Sequence, residues 1–478
     1  MSERRDLPEI PDADEKLLNI CLQKLRNIFP ERIDPRCLHQ LRFELSALKR
    51  TKTSSIFLIV RKLLCGCGLQ PYEIGFRGTL GSSLVAYLCG LTCVDPLNQL
   101  ARLYPEFCMG YDGDQEPDIE LMLPEEFLEQ ARERCASLPG VNTAFRPGCT
   151  GIDGNPMPHP SAVMLVPEGH TIAEYTALLE RDGTTFSAVD NFSIKTLYRL
   201  TLTASAYTDL LYDLSRKVKV RLSEIPLDDL EVFNLLHHEY PSHHNAFMLD
   251  ASGCPEFDSP EANQLSVCFW PENFSELVKL CGLMHSTFSG DGKLDSMMIQ
   301  KDLSKKDMIT CREDVFEYLL EHDFERRHSF EIAEFVRKGK ASNEKFSAEW
   351  LEIVNELNEA HIPEAFIDLC SHIRYLFPRA HVYRDALNAY WGAWFKIYHP
   401  QEFYDSYFKI CAPNGLEIAV HQGRDGLLNY KAAYDDLRIQ QENDLVQEKD
   451  MIQAPFQIQV AEEMFRNGFY LSEEDCFI

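Results

Sequence analysis

Apolar residues recur every three to four positions near the start of the chain and again beyond residue 300, which is the pattern of amphipathic helices. In the first segment, Leu17, Cys21 and Leu25 share one face of a helix predicted over 12–29. A mixed half followed by a helical half is therefore predicted. The other predicted elements are helices at 35–48, 54–64, 125–136, 313–322, 328–337, 347–358, 363–376, 383–398 and 428–441, and a strand at 162–167.

Two segments of the first half differ from this helical pattern. Residues 75–83 are rich in glycine and serine and lead into a helix predicted over 82–88, whose first N–H groups are expected to be free to bind a phosphate. Residues 117–121 alternate, so on a strand Asp118 and Glu120 point to one face. Metal-assisted nucleotidyl transfer needs a phosphate site and paired carboxylates. Either pattern alone is more often an ordinary loop or a solvated strand face.

The charge of the chain argues at first against nucleic-acid binding. There are 47 Lys and Arg against 75 Asp and Glu, a formal net charge of −28. The basic residues are concentrated, however, in residues 1–100, with 14 basic against 11 acidic side chains, and in 301–400, with 14 against 18. A local basic channel on an acidic body is compatible with this distribution, and so are ordinary solvated helix faces.

The sixteen cysteines are scattered, and the first residues are charged and carry no apolar leader segment. These features predict a reducing, cytoplasmic setting with free thiols. The longest apolar stretches, such as 56–60, are too short to span a bilayer, so no membrane association is predicted.

Taken in chain order, a series of segments resembles the polymerase part of the PolC-type DNA polymerase III alpha subunit. The order of the segments is the same in both, and this collinearity is more specific than any single motif. The matching segments are 75–86, 90–97, 116–121, 148–151, 159–160, 166–167, 274–278, 282–283, 336–340, 375–381, 447–450 and 468–469.

The resemblance implies an α/β palm of nucleotidyltransferase type followed by a mostly helical fingers region. The implied domains are a helical lead-in at 1–65, the palm at 66–215, the fingers at 216–410 and a C-terminal helical segment at 411–478. Asp118 and Glu120 would be catalytic and would bind Mg²⁺. The implied nucleotide contacts are Gly75, Arg77, Gly78, Gly81, Ser82 and Ser83, and the implied contacts to DNA or phosphate are Arg337, Lys338, Lys340, Arg379 and His381.

Several departures from the family pattern put catalysis in doubt. Glu120 stands where the family has a second aspartate, and Thr201 stands at the position of a third carboxylate, so Mg²⁺ binding is expected to be weak or lost. An acidic residue elsewhere, such as Asp190 or Asp209, is a possible substitute. The family's four-cysteine zinc knuckle is expected to be missing, because only Cys108 lies between residues 97 and 118, and no zinc is expected. The phosphoesterase-like, exonuclease, C-terminal DNA-binding and clamp-binding parts of the family are expected to be absent.

Three functions stay open at this stage. The leading hypothesis is a pseudo-polymerase that keeps a shape for binding DNA or deoxynucleoside triphosphates and acts with a replication protein or another partner. The second is an active DNA-directed polymerase or nucleotidyltransferase. The third is a protein-interaction module with vestigial sites, which the acidic composition favours slightly.

Clustered histidines and a cysteine pair offer weaker signals of metal binding. The histidines at 237, 238, 243 and 244 surround Glu239, but Pro241 interrupts the run and adjacent residues on a helix point apart. A surface loop is the favoured interpretation of this segment. Cys89 and Cys93 are one helical turn apart but have no second pair to complete a site.

Overall fold

The structure is a computed structural model, and it describes residues 6–100, 102–151, 154–190, 193–237, 248–288, 304–412, 415–441 and 449–472. The chain divides into two compact units, the first ending at Thr208 and the second beginning at Asp209. The first unit is a mixed α/β structure and the second is mostly helical. At this level the predicted fold class is confirmed.

The first unit is built on a mixed sheet with the strand order β1-β2-β8-β5-β3-β7-β6, in which β4 pairs with β3. The strand predicted over 162–167 is confirmed as β5 and is buried along its whole length. The strands are β1 Gly75–Phe76, β2 Glu120–Leu123, β3 Val141–Thr150, β4 Pro156–Pro158, β5 Ala162–Pro167, β6 Leu178–Arg181, β7 Thr184–Asp190 and β8 Tyr198–Ala204.

Helices in the first unit follow the predicted apolar spacing closely. Leu17, Cys21 and Leu25 are at most 1% exposed, so the predicted face of the first helix is confirmed. The third helix ends at Gly68, whose φ of 76° is the left-handed conformation that glycine adopts without a steric penalty. The helices are α1 Ala13–Ile28, α2 Pro35–Thr51, α3 Ser54–Cys67, α4 Leu84–Leu88, α5 Glu106–Met109 and α6 Glu125–Cys135.

The second unit is a helical body with one small antiparallel pair of strands, β9 (Thr287–Phe288) and β10 (Ile373–Tyr375). The helix predicted over 363–376 ends early, because residues 373–375 pair with β9 instead. The helices, the first of which begins just before the division, are α7 Ala206–Val218, α8 Leu230–Leu236, α9 Pro260–Phe269, α10 Phe274–His285, α11 Arg312–Glu321, α12 Arg326–Arg337, α13 Ser347–Glu359, α14 Glu364–His372, α15 Arg379–Tyr398, α16 Pro400–Cys411, α17 Leu416–His421, α18 Gly423–Gln441 and α19 Lys449–Arg466.

Helix α15 forms the centre of the second unit. It is buried on nearly every side, and Tyr390, Trp391 and Phe395 are at most 1% exposed. A surface helix is apolar on one face and leaves its other face in water. Because α15 is buried on nearly all sides, it is a core helix. In the described part of the chain, no helix is both long enough and apolar enough to cross a membrane.

Candidate functional site

The two predicted carboxylates lie on one face at the start of β2, as the alternation of the sequence predicts. Ile119 and Leu121 are fully buried on the opposite face. The side chain of Asp118 is 54% exposed and that of Glu120 is 31% exposed. A solvent-borne ligand therefore has access to both carboxylates.

Strand β8 runs parallel to β2 and places Thr201 directly beside Glu120. The backbone N–H of Thr201 donates to the carbonyl of Ile119 at 3.1 Å, which holds the two strands in this register. Residues in register on neighbouring strands point to the same face of a sheet. The position that the resemblance assigns to a third carboxylate is thus beside the other two, and a threonine occupies it.

Asp190 is excluded as a substitute for this third carboxylate. It ends β7, and β8, β5 and β3 all lie between β7 and β2 in the sheet. Strands are about 4.8 Å apart, so Asp190 lies roughly 19 Å from β2. Asp209 is the first residue of the second unit and lies in α7.

An arginine that sequence reasoning missed pairs with both carboxylates. Arg199 Nη2 lies 3.2 Å from Asp118 Oδ2 and 3.8 Å from Glu120 Oε1. Arg199 precedes Thr201 by two residues on β8, so both side chains share the face that carries the carboxylates. Alternation along residues 198–204 is the signal that would have found it. The chain thus supplies a cation of its own to both carboxylates.

The surroundings of Glu120 disfavour its charged form. Burial raises the pKa of Glu120, and the neighbouring Asp118 carboxylate raises it further, whereas Arg199 and Arg77 act in the opposite direction. Arg77 is held close by its backbone, since its N–H donates to the carbonyl of Glu120 at 3.1 Å. Two carboxylates and two guanidinium groups therefore meet at this edge of the sheet.

The start of α4, expected to offer free N–H groups to a phosphate, is already occupied. The carboxylate of Glu44, a fully buried residue of α2, accepts from the N–H groups of Leu84 and Val85 at 2.8 and 2.9 Å and from Ser83 Oγ at 2.7 Å. Ser83 Oγ in turn accepts from the N–H of Ala86 at 3.0 Å. The prediction of free N–H groups at this helix is therefore wrong. A buried carboxylate takes the place of the expected phosphate.

Burial separates the predicted nucleotide contacts into two groups. Arg77 is exposed and Gly78, whose φ is 69°, is half-buried. A ligand in solvent can reach these two residues. The other four are buried: Gly75, Gly81, Ser82 and Ser83.

The predicted basic contacts in the second unit have acidic or aromatic partners within the chain. Arg337 donates to both oxygens of Glu334 at 3.0 and 3.1 Å, and Lys338 Nζ lies 3.0 Å from the same carboxylate. Lys340 Nζ lies over the rings of Phe335 and Phe346, 5.4 and 4.8 Å from their centroids. Of these basic residues, Lys338 is the exposed one.

Arg379 is a buried residue, contrary to what a DNA contact requires. Its guanidinium donates to Asp314 Oδ1 at 2.9 Å and to both oxygens of Glu317 at 2.9 and 2.7 Å. The pKa of Arg379 lies well above its ordinary value, since these carboxylates outweigh the effect of burial. His381, two residues further along the same helix, has Nε2 3.8 Å from Asp385 Oδ2. In this arrangement the Arg379 guanidinium is engaged by carboxylates of the chain, and its contact with DNA stays a prediction.

Comparisons with known proteins match both units to one family. Residues 15–145 match the model of the bacterial DNA polymerase III alpha NTPase domain, and residues 201–360 match that of the alpha subunit finger domain. Between them the two models cover well over half of the chain, in the order expected from the resemblance. The chain belongs to the family of the bacterial DNA polymerase III alpha subunit.

Individual relatives extend this match along almost the whole chain. The DNA polymerases III PolC-type of Caldanaerobacter subterraneus and Bacillus subtilis are each 25% identical over 98% of the chain, and that of Thermotoga maritima is 24% identical over 98%. The matched part is 38–40% of each relative. The PolC-like module thus spans about two fifths of the length of these relatives.

The histidine cluster of the PolC-like module is only partly described. His237 is 5% exposed, stacks on Trp270 with ring centroids 4.1 Å apart and contacts the carbonyl of Pro271. It is therefore a packed core histidine and not part of a surface loop. Residues 238–247, with the other histidines, and residues 447–448 of the resemblance lie outside the described residues. Cys89 and Cys93 are both buried.

Acid is expected to destabilise the second unit of the PolC-like module through Glu334. Burial by itself would raise the pKa of Glu334, but Arg312, Arg337 and Lys338 outweigh it and lower the pKa to about 2. The folded pKa lies below the unfolded one, so the stabilisation is present above pH about 4.5 and is lost as the pH falls towards about 2. A shift of this size corresponds to about 3 kcal/mol of unfolding free energy at neutral pH.

The measurement is urea unfolding of wild type and Glu334→Gln between pH 7 and pH 3. The variant is expected to be less stable at pH 7, and the difference is expected to shrink as the pH falls. Glu331→Gln is the matched control, because Glu331 lies on the same helix with its side chain 60% exposed. A difference that is constant with pH would show that Glu334 is not held ionised by its neighbours.

Proposed function

We propose that this module keeps the nucleotide- and DNA-binding shape of a polymerase on a nucleotidyltransferase-type palm, but adds nucleotides very slowly or not at all. The observation that carries the proposal is the position of Arg199. Its guanidinium lies 3.2 Å from Asp118 and 3.8 Å from Glu120, and Thr201 is in register beside them.

Two-metal catalysis needs carboxylates that are available to Mg²⁺. The ions activate the attacking hydroxyl and stabilise the leaving group, and each is held by negatively charged oxygen ligands. Here Arg199 competes for the two carboxylates, and Thr201 offers a neutral hydroxyl. Glu120 has a side chain one methylene longer than aspartate, and a misplacement of about 1 Å can cost on the order of a hundredfold in rate.

Arg77 supports retention of a nucleotide-binding role. It is exposed next to the carboxylates, with its backbone fixed on Glu120 at 3.1 Å. Guanidinium groups bind phosphate oxygens through paired, charge-assisted hydrogen bonds. Binding of a deoxynucleoside triphosphate or of primed DNA, in the cytoplasm and alongside a replication protein, is part of the proposal.

Weak polymerase activity is the second candidate. It is favoured by the exposure of Asp118, whose side chain is 54% accessible, and by the shared face of Asp118 and Glu120. A salt bridge with exposed partners is worth only about 0–1 kcal/mol, so an arriving metal ion can displace Arg199 from Asp118.

The test combines calorimetric titration of Mg²⁺ and a deoxynucleoside triphosphate, with and without primed DNA, with a primer-extension assay. The expected result is binding without extension. The control variant is Glu133→Ala, because Glu133 is an exposed acidic residue of the same unit. The proposal would be contradicted if wild type extends the primer, Asp118→Ala does not, and Glu133→Ala still does. Absence of any binding would also contradict the proposal. The similarity of this chain to the polymerase family would then be one of fold only.

A further inference from the structure

A second cluster of ionisable side chains lies in the second unit. Of the residues predicted to contact nucleotide or DNA, it includes only His381. His285 ends α10, and its Nε2 lies 2.9 Å from Glu256 Oε2 and 3.5 Å from Asp385 Oδ2. The Nε2 atom of His381 approaches the same Asp385 oxygen at 3.8 Å. Two imidazole nitrogens thus converge on one carboxylate oxygen, with a second carboxylate beside it.

The spacing of these atoms is that of ligands around one metal ion. One ligand atom each from Glu256, His285 and Asp385 lies within 4.8 Å of the others. Ligands about 2.0–2.1 Å from a tetrahedral zinc ion lie roughly 3.4 Å from one another. His285 Nε2 lies 2.9 Å from Glu256 Oε2 and 3.5 Å from Asp385 Oδ2, on both sides of that value.

The cluster is set on rigid parts of the fold. Glu256 has a φ of 68°, a left-handed conformation that costs energy in a residue other than glycine. Its turn is anchored by Phe257, which is fully buried, and by Pro255, which packs so closely on Gly392 of α15 that a Cβ there would lie 2.3 Å from the proline ring. The backbone therefore holds the Glu256 side chain towards α15, where Asp385 lies.

The histidines are positioned by ring contacts. The rings of His285 and His381 stack at 6.4 Å with an interplanar angle of 20°. Phe377 contacts both, with centroids 5.7 and 5.1 Å away. Ligands whose orientation is fixed by packing bind a metal ion at a smaller cost in conformational entropy.

We propose that Glu256, His285 and Asp385 bind a divalent transition metal ion of the zinc type, with His381 beside Asp385. Imidazole and carboxylate ligands suit zinc, cobalt and related ions, whereas Mg²⁺ prefers an all-oxygen shell. Two carboxylates with side chains 10% and 8% exposed repel each other, and a divalent cation at their meeting point removes this repulsion.

Three protein ligands leave one position of a tetrahedral ion open to water, and binding of the ion to the folded chain stabilises the fold. The ion would link the Glu256 turn, the end of α10 and the first turns of α15. The site is distinct from the cysteine knuckle of the family. His285, whose side chain is 33% exposed, provides the side from which the ion enters.

The test uses the full chain, freed of metal with a chelator and then titrated with Zn²⁺ by calorimetry and with Co²⁺ by visible absorption. One Co²⁺ per chain is expected, with a spectrum of nitrogen and oxygen ligands and without the intense near-ultraviolet band of thiolate ligation. Zn²⁺ is also expected to raise the unfolding temperature. Loss of an outer-shell partner typically lowers metal affinity by roughly 10–100-fold. Loss of a ligand itself, in His285→Gln or Asp385→Asn, is expected to lower the affinity for the ion by at least as much.

His328→Gln is the matched control, because His328 also pairs with carboxylates of the second unit, Glu356 at 2.6 Å and Glu331 at 3.9 Å. It is expected to bind both ions as wild type does. The proposal is overturned by the absence of a stoichiometric site, by a thiolate spectrum, or by equal affinities in wild type and both ligand variants. Circular dichroism checks folding, and if Asp385→Asn does not fold, the half-exposed His285→Gln decides.

Discussion

The double variant Arg199→Gln/Thr201→Asp is expected to bind Mg²⁺ at least about 30-fold more tightly than wild type and to extend primed DNA faster. A unit charge about 4 Å from a divalent ion is worth roughly 2 kcal/mol even at the dielectric constant of water, which is about 30-fold in affinity. The variant adds such a charge and removes an opposing one. Because Thr201 is in register with Glu120, the new carboxylate faces the same point.

The control for this variant is Arg199→Gln/Thr203→Asp. Thr203 lies on the same face of β8 but is in register with Met122. The control variant therefore has the same net charge, with the new carboxylate about 7 Å further along the strand. Calorimetry with Mg²⁺ and a primer-extension time course compare the two variants with wild type. Equal Mg²⁺ affinity in both double variants would show that net charge, and not the position of a third carboxylate, limits binding.

Arg379→Met is expected to lower the unfolding free energy of the second unit by about 3 kcal/mol or more. Removing one partner of a buried ion pair typically costs about 3–5 kcal/mol, because it leaves a buried charge without compensation. Two carboxylates lose this partner, Glu317 and Asp314. Asp314 has a side chain only 7% exposed, and burial would raise its pKa, but Lys279 and Arg379 hold that pKa well below its usual range. Lys279, whose Nζ is 3.1 Å from Asp314, remains in the variant and keeps the loss near the lower end.

Urea unfolding followed by fluorescence measures this loss, with Lys306→Met as the control. Lys306 is a surface residue with a side chain 72% exposed, so its ion pair with Glu321 is expected to contribute less than about 1 kcal/mol. DNA affinity is measured on the same proteins by anisotropy. Wild-type stability together with a specific loss of DNA binding in Arg379→Met would establish Arg379 as a DNA contact after all.

Local patterns in the sequence were sufficient for many of the helices and for strands β2 and β5, but they gave no prediction for β3, β6, β7 and β8. Apolar spacing predicted α1 to α3 because the buried face of a helix repeats every 3.6 residues. It failed at 363–376, where pairing with β9 ends α14 at His372 and turns the chain into β10. Such pairing involves a partner nearly ninety residues away and leaves no mark in the local spacing.

The sequence by itself determined which chemical groups this module has: the two carboxylates, the threonine, and a collinear series of motifs that identified the family. Tertiary structure decided what those groups face. Parallel pairing of β2 and β8 brought Arg199 onto the carboxylates, and packing of α2 on α4 brought Glu44 onto the expected phosphate site. Both partners are remote in sequence, and a charged side chain takes its role from the charge it meets in the fold, which no local pattern records.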